Sequence, residues 1–279
     1  MEKRKNRGWR TASLLALIFF ILFVLSRCHD AAAAQAAKPA AVTVLMYHHI
    51  LPKGQAGRFS GNSIVTYAEE FEKQLDFLTE NGYTTVTPAQ VEAFFYKNAA
   101  LPEKAVLITF DDGYLSNAAV AYPLLKKRGL CATVFLVTGH LGEPGQTFSP
   151  SLVQMTDSET IKRTADVFTY ACHTNDLHTI CGSASALCTA TDRERAADLK
   201  RCRAALEPVP NACTTAFAYP YGAYSDAVKA SVKAAGIRLA FRASEGVVTA
   251  DSDVYALPRF PVDASVSFSR FCQYFGENG

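Results

Sequence analysis

Ala105-Val-Leu-Ile-Thr-Phe-Asp-Asp-Gly113 sets an unbroken apolar run directly before two adjacent carboxylates and a glycine. A run without polar alternation suits a strand covered on both faces, as in a parallel sheet packed between helices. The pattern recurs along the chain. Val42–Tyr47, Cys131–Val137, Val167–Cys172, Thr214–Tyr219 and Arg238–Arg242 read as strands, Tyr83–Thr87 as a short one and Val254–Phe260 as the closing one. Helical segments separate them. Tyr67–Asn81 aligns Phe71, Leu75 and Leu78 on one face and ends at Gly82, and Pro88 opens Ala89–Lys97. Leu115–Arg128 is helical with Pro123 as a kink and Gly129 as its stop. Ser158–Ala165, Asp192–Leu206 and Asp226–Ala235 complete the helices, and Gly139–Asp157 reads as a long loop. Roughly eight strands alternating with helices imply parallel βαβ units, in a barrel or a doubly wound sheet.

The 279 residues, 49% hydrophobic and 19% charged, supply one substantial core, and 18 Phe with 12 Tyr exclude disorder as the main state. Five of the 28 basic residues and one of the 26 acidic ones lie within residues 1–10, so the remainder is slightly acidic. That excludes a basic nucleic-acid-binding body. The basic start, the 14-residue apolar run Ala12–Leu25 and the Ala-rich stretch Ala31–Ala37 follow the order of a secretory signal. Spanning a ~30 Å bilayer core takes about 20 residues, so the run is short for an anchor, although the basic flank would orient one with the rest of the chain outside. Residues 1–40 are therefore a cleaved signal sequence or an N-terminal membrane anchor plus linker. Residues 41–279 form one domain, secreted or held at the outer face of the cytoplasmic membrane.

Eight cysteines agree with export. Cys28 belongs to the targeting region, which leaves an odd seven. Cys181 with Cys188, and Cys202 with Cys213, lie close enough in sequence to pair as disulfides, while Cys131 reads as a buried small hydrophobe.

In folds of this class chemistry sits at the C-terminal ends of the strands. Asp111 and Asp112 stand at such an end, where adjacent carboxylates repel unless a cation or a proton separates their roles. A solvated Asp-Asp-Gly turn capping the next helix is the plain alternative. His173 and His178 follow another strand. Five residues apart, they would point about 140° from each other on a helix, so they converge only from a loop. Two imidazoles and the Asp112 carboxylate make a ligand set that leaves positions open for water and substrate. The third such place is the turn Tyr219-Pro-Tyr-Gly222. The same ligands serve non-haem iron oxygenases, but those imply a β-sandwich, against the alternation here.

Thr109-Phe-Asp-Asp-Gly113, His173-Thr-x3-His178 and Tyr219-Pro-Tyr-Gly222, in that order, resemble the polysaccharide deacetylases of the NodB-homology type (carbohydrate esterase family 4) across about residues 42–263. The resemblance implies a distorted, incomplete (β/α) barrel of about seven to eight strands and metal-dependent removal of N-acetyl groups from polymeric amino sugars. It assigns Asp112, His173 and His178 to the metal, Zn²⁺ or another divalent transition ion. It assigns Asp111 to the base that takes a proton from the attacking water and the Tyr221 N–H to the oxyanion. Two positions depart from the common pattern: no histidine follows His178, and Ala218 stands where many members have arginine. Both departures, with the five-residue histidine spacing, are similar to the branch acting on poly-β-1,6-N-acetylglucosamine. There the acid corresponds to His48 of Met46-Tyr-His-His49, with His49 as the fallback, and Arg259 of Leu257-Pro-Arg-Phe-Pro261 would orient Asp111. The chain stops at Gly279, without that branch's second, glycan-binding domain, which leaves peptidoglycan or a capsular amino sugar open as a substrate. An exported, inactive glycan-binding relative and an O-acetyl esterase on xylan-type polymers are the alternative functions. His140, in a Gly-flanked loop, reads as a surface histidine.

Overall fold

Ala41–Tyr47 (β1) opens the sheet, and just beyond it His49–Leu51 (β2) pairs with Val65–Tyr67 (β3) in a two-stranded annex. Ala68–Glu80 (α1) leads to Thr84–Thr85 (β4), and Pro88–Lys97 (α2) to Ala105–Phe110 (β5). Tyr122–Lys127 (α3) precedes Ala132–Leu136 (β6), and Ser158–Thr164 (α4) precedes Phe168–Cys172 (β7). A small hairpin, Ile180–Cys181 (β8) with Ala184–Ser185 (β9), then runs through Ala186–Thr189 (α5) into Asp192–Leu206 (α6). Ala212–Ala218 (β10), Asp226–Ala234 (α7), Leu239–Phe241 (β11), Val248–Thr249 (β12), Phe260–Pro261 (β13) and Phe268–Gln273 (α8) follow. This computed structural model describes residues 41–276; the expected signal or anchor, with Cys28, lies outside them. Among the described residues no helix is long and apolar enough to cross a membrane.

Seven strands pair in parallel in the order β11-β10-β7-β6-β5-β1-β13 and curl into an open half-barrel. β4 adds to β5, and β12 runs antiparallel to β1. Alternate residues explain the unbroken apolar runs. Leu45, Ile108, Val134 and Tyr170 pack under the helices with Phe71, Leu75, Leu125, Leu199 and Val228. Val44, Leu107, Phe135 and Ala171 face the other side, where they meet Ala218, Phe241 and Leu257. Both faces are buried, so neither keeps a polar alternation.

The helix expected over Leu115–Arg128 forms, helical from residue 115 to 127, and the irregularity expected at Pro123 takes the form of a π turn at Asn117–Ala121 directly before it. Two other expectations need correction. The strand expected at Val254–Phe260 reduces to a bridge from Leu257 to Phe241 and the short β13, because Pro258 and Pro261 lack the N–H groups a ladder needs. Neither expected cysteine pair forms. Cys202 bonds to Cys172, 30 residues away, with Cα atoms 6.0 Å apart, whereas Cys181, Cys188 and Cys213 are free. Nearness in sequence selected those pairs; the packing of α6 over the end of β7 selects the real one. Cys131 is a half-buried free thiol.

Candidate active site

The strand ends deliver the functional side chains. The Asp111 N–H continues the β1–β5 ladder by donating to the Tyr47 carbonyl at 2.9 Å. Immediately afterwards the backbone turns through two left-handed residues, Asp112 at φ 69° and Gly113 at φ 82°. Gly113 is required there, because a Cβ would stand 2.6 Å from the Leu136 side chain. This turn sends the two carboxylates to different partners.

Asp111 receives two parallel 2.7 Å hydrogen bonds from Arg259, a fork on a fork, and both residues are buried. Arg259 also donates to the Arg242 carbonyl and the Thr109 hydroxyl and lies over the Phe135 ring. Burial alone would raise the Asp111 pKa; the Arg259 charge and hydrogen bonds outweigh it and hold the carboxyl below its ordinary value. Asp111 is thus an ionised acceptor in a dry wall.

Asp112 turns instead to the histidines. Its Oδ1 lies 3.0 Å from His178 Nε2 and 3.5 Å from His173 Nε2, and the two ring nitrogens are 3.1 Å apart. His173 Nδ1–H donates to the Ala218 carbonyl at 2.8 Å, which leaves its Nε2 lone pair facing Asp112. Burial opposes ionisation of Asp112, but the closeness of His173 and the His178 hydrogen bond hold its pKa well below the usual range. Burial likewise lowers that of His178, and the Asp112 hydrogen bond more than reverses it. Three ligand atoms, one from each residue, lie within 4.8 Å of one another. Two imidazole nitrogens at 3.1 Å repel unless a proton or a cation sits between them, and with the carboxylate this donor set fits a divalent ion.

His48, half-buried after β1, lies close enough to Asp111 and Asp112 that a positive charge on its ring would depress both of them. His49 does not face them. Its Nδ1 meets the Ser116 hydroxyl at 2.6 Å, its ring stacks on Tyr114 at 4.8 Å, and burial lowers its pKa to about 4. Tyr221 sits at φ 60° in the turn after β10, with its exposed ring 4.9 Å from that of His178 and its hydroxyl donating to the His178 carbonyl. Of the five non-glycine residues with positive φ among the described ones, Asp112, Thr174 and Tyr221 belong to this site. His140 lies outside the triad, exposed and 3.9 Å from Asp176.

Two residues at the site escaped sequence reasoning. Tyr114 follows the Asp-Asp-Gly turn, and burial, reinforced by the Asp112 charge, keeps its phenol protonated. Its position directly after the motif was the available signal. Asp198 is fully buried and accepts the N–H groups of Asn175, Asp176 and Leu177, yet in sequence it is one charge among many on α6.

The sequence matches the model of the family described as polysaccharide deacetylase over residues 98–240. The chain belongs to that family. This deacetylase family member is 28% identical over 224 residues to the poly-β-1,6-N-acetyl-D-glucosamine N-deacetylase of Staphylococcus aureus (strain MSSA476), covering 77% of this chain and 76% of that one. Among solved structures, the deacetylase PplD of Streptococcus pyogenes, in complex with acetate, superposes with a TM-score of 0.72 at 26% identity, over 85% of this chain and 99% of that one. IcaB from Ammonifex degensii gives 0.71 at 29% identity, over 85% and 97%. The half-barrel is therefore the distorted (β/α) barrel of carbohydrate esterase family 4, and the chain is a hydrolase of the polysaccharide deacetylase family.

Proposed function

We propose that this protein removes N-acetyl groups from an extracellular amino-sugar polymer, poly-N-acetylglucosamine or peptidoglycan. The observation that carries the reading is the convergence of Asp112, His173 and His178 beside an Asp111 that Arg259 keeps out of their set. Asp112, His173 and His178 would hold the metal, with Zn²⁺ favoured by a ligand set of two imidazoles and one carboxylate. When bound, such an ion lowers the pKa of a coordinated water to about 7 and polarises a carbonyl oxygen.

This chain's own residues do the rest. Asp111, ionised and fixed by two hydrogen bonds, accepts the proton of the attacking water. The Tyr221 N–H, presented by a left-handed turn, donates to the oxyanion that forms from the acetyl carbonyl. His48 returns a proton to the departing amine. The Staphylococcus aureus relative supports poly-β-1,6-N-acetylglucosamine as the first substrate to test. The basic and apolar N-terminus and the Cys172–Cys202 disulfide support action outside the cytoplasm, secreted or membrane-anchored.

The test is acetate release by the full-length protein, stripped of metal and reloaded with Zn²⁺. Substrates are β-1,6- and β-1,4-linked N-acetylglucosamine oligomers, peptidoglycan and acetylated xylan. Zinc-dependent release from an N-acetylated glycan, lost in Asp111→Asn, is the expected result. Release from xylan alone would make the protein an O-acetyl esterase. No release from any of them, with metal bound and the fold intact, would make it a glycan-binding relative.

A further inference from the structure

The loop between the two histidines holds an unfavourable backbone. Thr174, β-branched and fully buried, sits at φ 75°, a region such residues rarely enter. Something outside the loop must therefore hold it, and the contacts show what does. One oxygen of Asp198 accepts from the Asn175 N–H at 2.8 Å. The other accepts from Asp176 at 2.7 Å and from Leu177 at 3.1 Å. These three consecutive N–H groups lead directly into His178. One turn further along α6, Cys202 is bonded to Cys172, the residue before His173. A single helix face thus grips the loop just before its first histidine and just before its second.

We propose that Asp198 is a positioning residue for the metal site: by fixing residues 175–177 it sets His178 Nε2 against Asp112 and His173. The inference rests on the metal reading above. Asp198 is not itself a ligand, because its oxygens already serve three N–H groups and face Arg201 at 3.7 Å. Its chemistry is also specific. An asparagine of the same shape has a single acceptor oxygen, so its amide nitrogen would confront one of the three N–H groups, donor against donor. The loop would shift to relieve that clash, and His178 would move with it.

The experiment measures the Zn²⁺ dissociation constant of the full-length protein by competition with a chromogenic chelator, and the visible spectrum of the Co²⁺-loaded form. Wild type, Asp198→Asn, Leu199→Ala and His178→Ala are compared, with apoprotein folding followed by circular dichroism. Asp198→Asn is expected to weaken Zn²⁺ binding about 10–100-fold and to change the Co²⁺ spectrum while the apoprotein stays folded. Leu199→Ala, a core truncation on the same helix, is expected to lower stability and leave both readouts unchanged. Binding within twofold of wild type in Asp198→Asn, or equal weakening in Leu199→Ala, overturns the proposal. If Asp198→Asn does not fold, Asp198→Glu decides, since it keeps the charge but displaces both acceptors by one methylene. His178→Ala separates the two readings. If it binds Zn²⁺ as wild type does, the metal assignment itself fails; if it loses Zn²⁺ while Asp198→Asn keeps it, only the positioning role fails.

Discussion

The two walls of the site are built differently. On the β5–β7 side, Asp112, His173 and His178 stand in tight turns just past the strand ends, backed by α6, a buried carboxylate and a disulfide. On the opposite side, the Tyr219–Gly222 turn and the Leu257–Pro261 segment are irregular, and Tyr221 is 52% exposed. One firm element reaches across, the Arg259–Asp111 pair. The contrast teaches how one site serves two needs. Ligand atoms must stay within tenths of an ångström of their places, which calls for buried, fully partnered polar groups. A polymer must slide in and out, which calls for an open rim.

If the walls divide the labour in this way, Asp111→Asn should produce the largest effect. Acetate release falls about 10²–10⁴-fold with Zn²⁺ affinity unchanged; a matching loss of affinity would show that the two aspartates do not have separate roles. Arg259→Met comes next, because it strands a buried carboxylate at a cost of about 3–5 kcal/mol in urea unfolding. Its pH dependence carries a sign. In the wild type the Asp111 pKa is lowered, so its share of stability is present above the ordinary carboxyl value of about 3.9 and is lost as pH falls through the lowered one. In the variant burial acts alone and raises that pKa, so Asp111's contribution instead declines as pH rises above about 3.9. Unfolding curves between pH 3 and 6 compare the two slopes. A smaller effect is expected from removing the disulfide. With Cys172 and Cys202 separated by 30 positions, the Cys172→Ala, Cys202→Ala variant loses about 3–4 kcal/mol, a Tm drop on the order of 10 °C by calorimetry. The smallest belongs to the open wall. Tyr221→Gly keeps the backbone N–H and relieves a left-handed residue, so stability changes by within about 1 kcal/mol. In steady-state kinetics it raises KM with kcat nearly unchanged.

The same contrast governs what could be read from the chain. Ala105–Phe110 and Asp192–Leu206 emerged with the bounds expected, because a doubly buried strand and a helix with a Thr191–Glu194 capping box write their physics locally. Asp112, His173 and His178 were legible because few structural needs place such groups at strand exits. Asp198 was not, since a buried carboxylate and a solvated one look alike on a charged helix. The Cys172–Cys202 bond was missed because its partners meet only through the packing of α6 on β7. The bridging segment around Arg259 was read as a strand because the pattern records its apolar residues and not the two missing N–H groups.

The Arg259–Asp111 pair spans 148 residues of chain, and that distance has a consequence for folding. The two side chains can meet only once the chain between them has been gathered into the half-barrel, so the pair closes a long loop and its entropy of closure is met by contacts formed elsewhere. A chain cut short before residue 259 would leave Asp111 in the inner wall without its guanidinium.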